Sequence, residues 1–158
     1  WAGPYLASRQ VVAVDPQSDI YTLADLEDKV VAVQSTTKPE DILLNHTNEN
    51  VPQIKELYCF SDRSYLNPAL VEGLVDAIAA HESSLLTYEK DYGVTYRILD
   101  EPLLEVGLGT AFDINDTRGI DVKLTHAYQE MLADGTMERL VSKYFDDPPP
   151  FLNMEGLS

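Results

Sequence analysis

Short apolar runs rich in β-branched residues, each followed by a turn and then by helix-forming sequence, constrain the fold of this chain most strongly. Residues 11–14 and 30–33 form such runs, and residues 76–80 form a third, alanine-rich run that begins with Asp76. Continuous apolar runs of this length are typical of strands that are buried on both faces of a sheet. Two such strands early in the chain predict a parallel sheet, and the helical segments between strands predict an α/β layered fold with right-handed crossovers.

The remaining elements follow from periodicity and from turn residues. Helices or helical turns are predicted at residues 22–26, 39–44, 68–74, 82–92, 121–133 and 137–145. Further strands are predicted at 53–60, 95–99 and, interrupted by glycine, 106–112. The three consecutive prolines at 148–150 predict an extended tail over residues 146–158.

Charge and cysteine content exclude several classes of function. The formal net charge of -16 would repel a phosphate backbone, so nucleic-acid binding is not expected. Cys59 is the only cysteine, which excludes an intramolecular disulfide, and its apolar neighbours predict a buried, inert thiol. No run approaches the roughly 18 apolar residues that span a bilayer, and residues 1–4 lack the features of a signal peptide.

Four segments, in order along the chain, carry a resemblance to a known family. They are residues 4–5 with the strand at 10–14, residues 22–34, Val75-Asp76-Ala77, and residues 134–145. Their order and spacing resemble the polar amino-acid branch of the bacterial solute-binding proteins, extracellular solute-binding protein family 3 of the periplasmic-binding-protein type 2 fold. The resemblance implies two α/β lobes joined by two crossover strands, with a small ligand held between the lobes.

The resemblance also implies a division of the chain. Residues 1–9 would lead into the first crossover and 10–103 would form the second, ligand-binding lobe. Residues 104–145 would be the C-terminal strand and helices of the first lobe, followed by the tail at 146–158. By this resemblance we expect the chain to lack the first half of lobe one, which in the family supplies an arginine for the ligand carboxylate. We therefore also expect that the truncated lobe could make the chain dimerise.

The loops after Val33 and after Ala80 are where a ligand site is expected, because ligands of open α/β sheets lie beyond the carboxyl ends of strands. In the family, the first of these loops presents backbone amides at a helix start to an anion, which implicates Gln34, Ser35, Thr36, Thr37 and Lys38. Ser35 stands where the family usually has glycine. The alternatives are that Thr36 or Thr37 only caps the helix, and that Lys38 is only solvated.

The second loop departs from the family. Members that bind α-amino acids carry an aspartate for the ammonium group where this sequence has His81, with Glu82 next to it. A neutral imidazole offers no fixed negative charge, so ammonium capture would be weaker unless Glu82 turns inward. The alternative for His81 is a residue that caps the following helix, and Asp76 is expected to hold the start of its strand.

The resemblance implies an extracytoplasmic, bacterial binding module for a small polar, amino-acid-like metabolite, without a cofactor or a metal. Its partner would be the membrane permease of an ABC-type uptake system, or its own membrane-anchored signalling domain in a histidine kinase or diguanylate cyclase. A dehydratase-like enzyme is the second hypothesis. His81 and Glu82 are adjacent and do not face each other as an acid and base pair should. A ligand-free interaction domain is the third.

Overall fold

The computed structural model describes residues 1–157, so Ser158, the last residue of the predicted tail, lies outside the described residues. The chain divides into two compact units. The larger unit is Arg9–Leu104, and the smaller unit combines Trp1–Ser8 with the residues from Glu105 onward. The first strand contributes residues to both units.

The larger unit is built on a mixed sheet with helices between its strands. Its strands are β1 (Ala2–Val14), β2 (Val30–Gln34), β3 (Glu56–Phe60), β4 (Ala77–His81) and β5 (Arg97–Ile98), in the order β3-β2-β4-β1-β5. Its α-helices are α1 (Lys38–Asn45), α2 (Leu66–Val71) and α3 (Glu82–Tyr92), and 3-10 helices span Leu23–Leu26 and Arg63–Tyr65. The predicted α/β class is confirmed.

The prediction of a parallel sheet is right for part of the sheet and wrong for β1. Strand β2 pairs in parallel with both β3 and β4, whereas β1 is antiparallel to β4 and to β5. A central strand is buried on both faces whichever way its neighbours run, so its apolar run does not reveal their direction.

Both faces of this sheet are covered, which explains the uninterrupted apolar runs. Alternate residues of each strand enter opposite cores, because successive side chains point to opposite faces. Val31 and Val33 of β2 join the core under α1, whereas Ala32 joins the core under α2 and α3 together with Ile78 of β4. Helices that cover both faces leave the ends of the strands as the places where a site can open.

Two acidic side chains fix the ends of elements in the larger unit. Asp25 Oδ2 accepts hydrogen bonds from the Tyr21 and Thr22 amides and from the Thr22 hydroxyl, so the predicted capped turn is present. Asp76 Oδ2 accepts a hydrogen bond of 2.8 Å from the Val30 amide, and the Asp76 amide donates back to the Val30 carbonyl. Asp76 therefore ties the start of β4 to the start of β2, the structural role expected of it.

Cys59 is exposed, which corrects the predicted buried thiol. The physical reason is its place in β3, which forms an edge of the sheet and, within the described part of the chain, pairs with β2 alone. Partial burial, and then the neighbouring Glu40, raise the pKa of the Cys59 thiol, so the thiolate that reacts is disfavoured.

Strand β6 (Leu104–Thr110) pairs with β1 and belongs to the smaller unit from Glu105 onward. The smaller unit also contains the helices α4 (Ile120–Ala133), α5 (Thr136–Val141) and α6 (Pro149–Leu152). The glycines of β6 make room for neighbouring side chains. A Cβ on Gly107 would lie 2.7 Å from Pro4 Cβ, and a Cβ on Gly109 would collide with the Trp1 ring. Close packing against these side chains accounts for the glycine interruption seen in the sequence.

The tail is not extended throughout, which corrects the prediction for residues 146–158. Pro149 and Pro150 begin α6, where a missing amide costs no hydrogen bond. Phe151 is buried and stacks on Phe145, with ring centroids 4.3 Å apart. The aromatic contact gives this segment a reason to fold back that proline content alone does not reveal. Among the described residues, no helix combines the length and apolar character needed to cross a membrane.

Candidate functional site

The carboxyl ends of β2 and β4 lie side by side in the larger unit. Because the two strands are parallel and pair Val33 with Ala79, the residues that follow them emerge at the same edge of the sheet. A cavity of about 300 Å³ opens there. Its lining, which we call the strand-end cavity, consists of Gln10, Gln34, Thr37, Lys38, Pro39, Arg63, Leu66, Ala79, Ala80, His81 and Ser84.

The strand-end cavity brings together four residues that the sequence singled out. Gln34, Thr37, Lys38 and His81 line it, although the two loops that carry them are more than 40 residues apart in the chain. Ser35, Thr36 and Glu82 are not among the residues that line it.

Several amides and hydroxyls of the Ser35-Thr36-Thr37 turn donate hydrogen bonds to other groups of the protein. The Ser35 amide donates to the Phe60 carbonyl at 2.8 Å, and the Thr36 amide donates to Glu40 Oε2 at 2.7 Å. The hydroxyls of Thr36 and Thr37 donate to the carbonyls of Ser35 and Gln34. Neither threonine caps α1 through its side chain, since Thr37 is the N-cap residue without a side-chain cap bond. The hydroxyls brace the turn.

The residue of this turn in the left-handed region is Thr36, with φ of 61°, and not Ser35. A β-branched residue rarely adopts this conformation. Such backbone strain persists where interactions with the surrounding structure stabilise it, often at functional sites. The hydrogen bond from the Thr36 amide to the Glu40 carboxylate stabilises this conformation. The serine in place of the family's glycine therefore causes no backbone conflict.

The electrostatic character of the strand-end cavity is opposite to that of the chain as a whole. Lys38 and Arg63 contribute two positive charges to its lining, and no Asp or Glu is among the lining residues. The Lys38 ammonium also forms an ion pair with Asp41 Oδ2 at 2.7 Å, with both side chains about half-exposed. In a chain of net charge -16, a small cavity lined by cations, amides and hydroxyls favours a ligand with an anionic group.

His81 lies at the end of β4, immediately before α3, and its Nδ1 is 2.7 Å from the Ser83 hydroxyl oxygen. Burial lowers the pKa of the His81 imidazole below its ordinary value, so the ring is neutral near pH 7. A neutral ring can exchange hydrogen bonds with a ligand, but it offers no negative charge to an ammonium group.

The Glu82 side chain pairs with an arginine of β1. Its carboxylate forms a hydrogen-bonded ion pair of 3.1 Å with the Arg9 guanidinium on β1, and Glu82 is 7% exposed. Arg9 also donates to the Asp100 carbonyl at 2.9 Å. The prediction that Glu82 contacts the ligand stays untested, but its pairing with Arg9 gives it a structural role.

We expect the depressed pKa of His81 to appear as a loss of stability on mild acidification. The unfolded chain takes up a proton on this ring below pH about 6.5, whereas the folded chain resists it until lower pH. The free energy of unfolding should therefore fall from pH 7 towards pH 5, by at most about 1.4 kcal/mol per pH unit from this residue. Charged groups around His81 include Lys38 and Arg63, which line the same cavity, and Glu82, the next residue in the chain, with its partner Arg9.

Urea titrations of the wild type and of His81→Gln between about pH 7 and 5 check this, since carboxylates titrate mainly below that range. The slope should be shallower in His81→Gln and unchanged in His126→Gln, which alters an exposed histidine of α4. Equal slopes for wild type and His81→Gln would contradict the assignment.

Three polar residues of the cavity were not singled out by the sequence. Gln10 enters because β1 pairs it with His81 across the sheet, a register that no local pattern encodes. Ser84 lies in the first turn of α3 and accepts a hydrogen bond from Arg63 Nη1 at 3.1 Å. Arg63 follows β3, the third parallel strand, so the rule that ligands lie beyond strand ends would have pointed to it.

A neighbouring cavity of about 320 Å³ shares Arg63, Leu66, Ala80 and Ser84 with the strand-end cavity. It is lined on its other sides by three tyrosines and two carboxylates, Tyr88, Tyr92, Tyr96, Asp62 and Asp91, and by no residue of β2. The strand-end cavity is the better candidate because both predicted loops reach it. Among the described residues, no cluster of three or more His, Cys, Asp or Glu side chains is placed to hold a metal ion.

Comparison with known proteins finds sequence similarity to bacterial binding proteins. No family model matches the sequence. The histidine-binding periplasmic protein of Salmonella typhimurium is 33% identical over 150 residues, which cover 88% of this chain and 54% of that protein. The glutamate-binding protein GluB of Corynebacterium glutamicum is 27% identical over 90% of this chain and 49% of its own length. The chain thus spans about half the length of both relatives.

Solved structures of bacterial binding proteins have a similar fold. An ancestral cationic amino acid solute-binding protein superposes with a TM-score of 0.71 and 25% identity, covering 91% of this chain and 61% of that one. Substrate-binding domain 2 of Lactococcus lactis GlnP, in its open conformation, gives a TM-score of 0.70 over 92% of this chain and 62% of that one; at 21% identity it supports the fold alone. The chain has the periplasmic-binding-protein type 2 fold, and the proteins it is similar to in sequence are amino-acid-binding proteins of bacteria.

Proposed function

We propose that this chain is the ligand-holding part of an extracytoplasmic solute-binding protein that captures a small, amino-acid-like metabolite for ABC-type uptake. The observation that carries the proposal is the strand-end cavity, where four of the predicted ligand residues meet at the ends of two parallel strands. Its volume of about 300 Å³ suits a small metabolite. The relatives are named as binding proteins for histidine and glutamate, which supports binding without chemistry.

In this proposal the anionic group of the ligand lies against Thr37 and Lys38. The first amides of a helix have no partner within the helix, and the helix dipole favours negative charge at the start of α1. Gln34 and His81 then offer hydrogen bonds to the polar remainder of the ligand. Closure of the first lobe over a ligand held by the second lobe, as the family resemblance implies, is part of the same proposal.

The proposed partner is a membrane permease that accepts the loaded protein outside the cytoplasm. Similarity at 26% identity to the substrate-binding protein of an amino-acid ABC transporter supports uptake. The sensor domain of a membrane receptor would use the same binding step, because in both cases the ligand shifts a conformational equilibrium by its preference for one state.

Thermal unfolding of the chain in the presence of amino acids, small dicarboxylates, peptides and amines tests the proposal. A true ligand at a hundredfold excess over its dissociation constant should stabilise the chain by about 2.7 kcal/mol. If no compound in this set raises the unfolding temperature, the proposed function is wrong and a ligand-free interaction domain becomes the better hypothesis.

The substitution His81→Asp should redirect the preference of the cavity. A carboxylate at this position attracts an ammonium group, so α-amino acids should bind about tenfold more tightly, corresponding to about 1.4 kcal/mol. Carboxylic acids without an amino group should bind more weakly because of like-charge repulsion. Calorimetric titration of an amino acid and its deaminated analogue measures both effects, with His126→Asp on the exposed face of α4 as the control that should change neither.

A further inference from the structure

We infer that Arg63 recognises a second acidic group on the ligand, so that the site prefers a metabolite with two carboxylates to the same metabolite with one carboxylate amidated. The inference rests on the proposed function and names the class of ligand for it. Arg63 lines the strand-end cavity from a different element than Lys38, since Lys38 follows β2 and Arg63 follows β3. Two cations from two loops suit a ligand with two anionic ends.

Arg63 is held in place without being neutralised. It begins the 3-10 helix Arg63–Tyr65, whose start is fixed because Asp62 Oδ1 accepts a hydrogen bond of 2.8 Å from the Ser64 amide. Arg63 Nη1 donates to the Ser84 hydroxyl at 3.1 Å. A guanidinium carries five N–H donors, and this contact with a neutral hydroxyl uses one of them. The remaining donors and the full positive charge stay available.

The other arginines with described side-chain contacts are engaged by partners within the chain. Arg9 is paired with Glu82, Arg118 is paired with Asp116, and Arg97 donates to the Ser18 carbonyl and lies over the Tyr21 ring. Among the residues that the structure describes, no carboxylate lies within ion-pair distance of Arg63. A cation without a counter-ion in a cavity is poised for a carboxylate ligand, which its planar fork can bind with two hydrogen bonds.

Asp62 is the internal competitor for Arg63. Hydrogen bonds from Ser64 are the main cause that lowers the pKa of Asp62, and the positive charge of Arg63 lowers it less. Asp62 lines the neighbouring cavity and is not among the residues that line the strand-end cavity. The carboxylate of a ligand in the strand-end cavity would therefore meet Arg63 without Asp62 between them.

Calorimetric titrations of the chain with glutamate, glutamine, aspartate and asparagine test the inference. The wild type should bind the better of the two acids at least about tenfold more tightly than its amide, the ratio expected from one charged hydrogen-bonding contact. Arg63→Gln should weaken acid binding by about 10 to 100-fold and leave amide binding within about twofold. Arg63→Lys keeps the positive charge but loses the planar guanidinium, so its affinity for the acids should lie between those of the wild type and Arg63→Gln.

Arg139→Gln, which removes an exposed arginine of α5, is the charge-matched control and should alter neither affinity. Equal affinity of the wild type for acids and amides would overturn the inference even if Arg63→Gln failed to fold. Equal weakening of acid and amide by Arg63→Gln would also overturn it, because it would indicate a structural role. If other metabolites bind but none of these four does, the inference fails and the proposed function stands; if nothing binds, both fail.

Discussion

Replacing Arg9 by methionine is expected to lower the free energy of unfolding by about 3 kcal/mol. The Arg9 and Glu82 side chains are only 18% and 10% exposed and lie 3.1 Å apart. Methionine keeps the apolar stem of the side chain but removes the guanidinium, which leaves a desolvated carboxylate without its cation. Urea denaturation of the wild type and of Arg9→Met measures the difference.

The double variant Arg9→Met with Glu82→Gln tests whether the cost comes from the stranded charge. Because the second change removes that charge, the double variant should recover at least half of the lost stability. Arg118→Met removes a guanidinium that is 69% exposed from its pair with Asp116 and serves as the control for an exposed cation, with an expected loss below about 1 kcal/mol. A loss for Arg9→Met as small as that for Arg118→Met would show that the pair is not desolvated in solution.

Replacing Ile78 by alanine is expected to cost about 2 to 5 kcal/mol of unfolding free energy. Ile78 is 0% exposed in β4, where it packs into the core under α2 and α3. The loss has two parts. One is the transfer free energy of the removed methylene and methyl groups, and the other is the cost of a cavity that the closely packed neighbours do not fill. The same denaturation experiment measures it.

Val71→Ala is the matched control, because it removes a branched side chain that is 69% exposed at the end of α2. It should change stability by no more than about 0.5 kcal/mol. If Ile78→Ala were equally mild, β4 would not be the central strand that the sheet order describes. Since His81 ends β4, the stability of this strand also bears on the candidate site.

Predictions for the helices succeeded where local signals were strong. The helix expected at residues 82–92 is α3 (Glu82–Tyr92), which ends at Gly93 in a left-handed conformation, and the helix expected at 39–44 is α1 (Lys38–Asn45), with Pro39 in its first turn. Proline at a helix start and glycine beyond its end act within a few residues, so a single sequence carries them. The helix at 137–145 was overestimated, since α5 ends at Val141.

The sequence by itself determined the α/β alternation and the two loops where a site was expected, because apolar runs, caps and strand ends are local properties. Only the tertiary structure decided that β1 runs antiparallel to β4, that Glu82 turns to Arg9, that Cys59 lies on an edge, and that Gln10 and Arg63 join the cavity. Each of these depends on which residues, tens of positions apart in the chain, become neighbours in the sheet. The free energy of that pairing comes from burial on both faces of the sheet, which no single segment possesses alone.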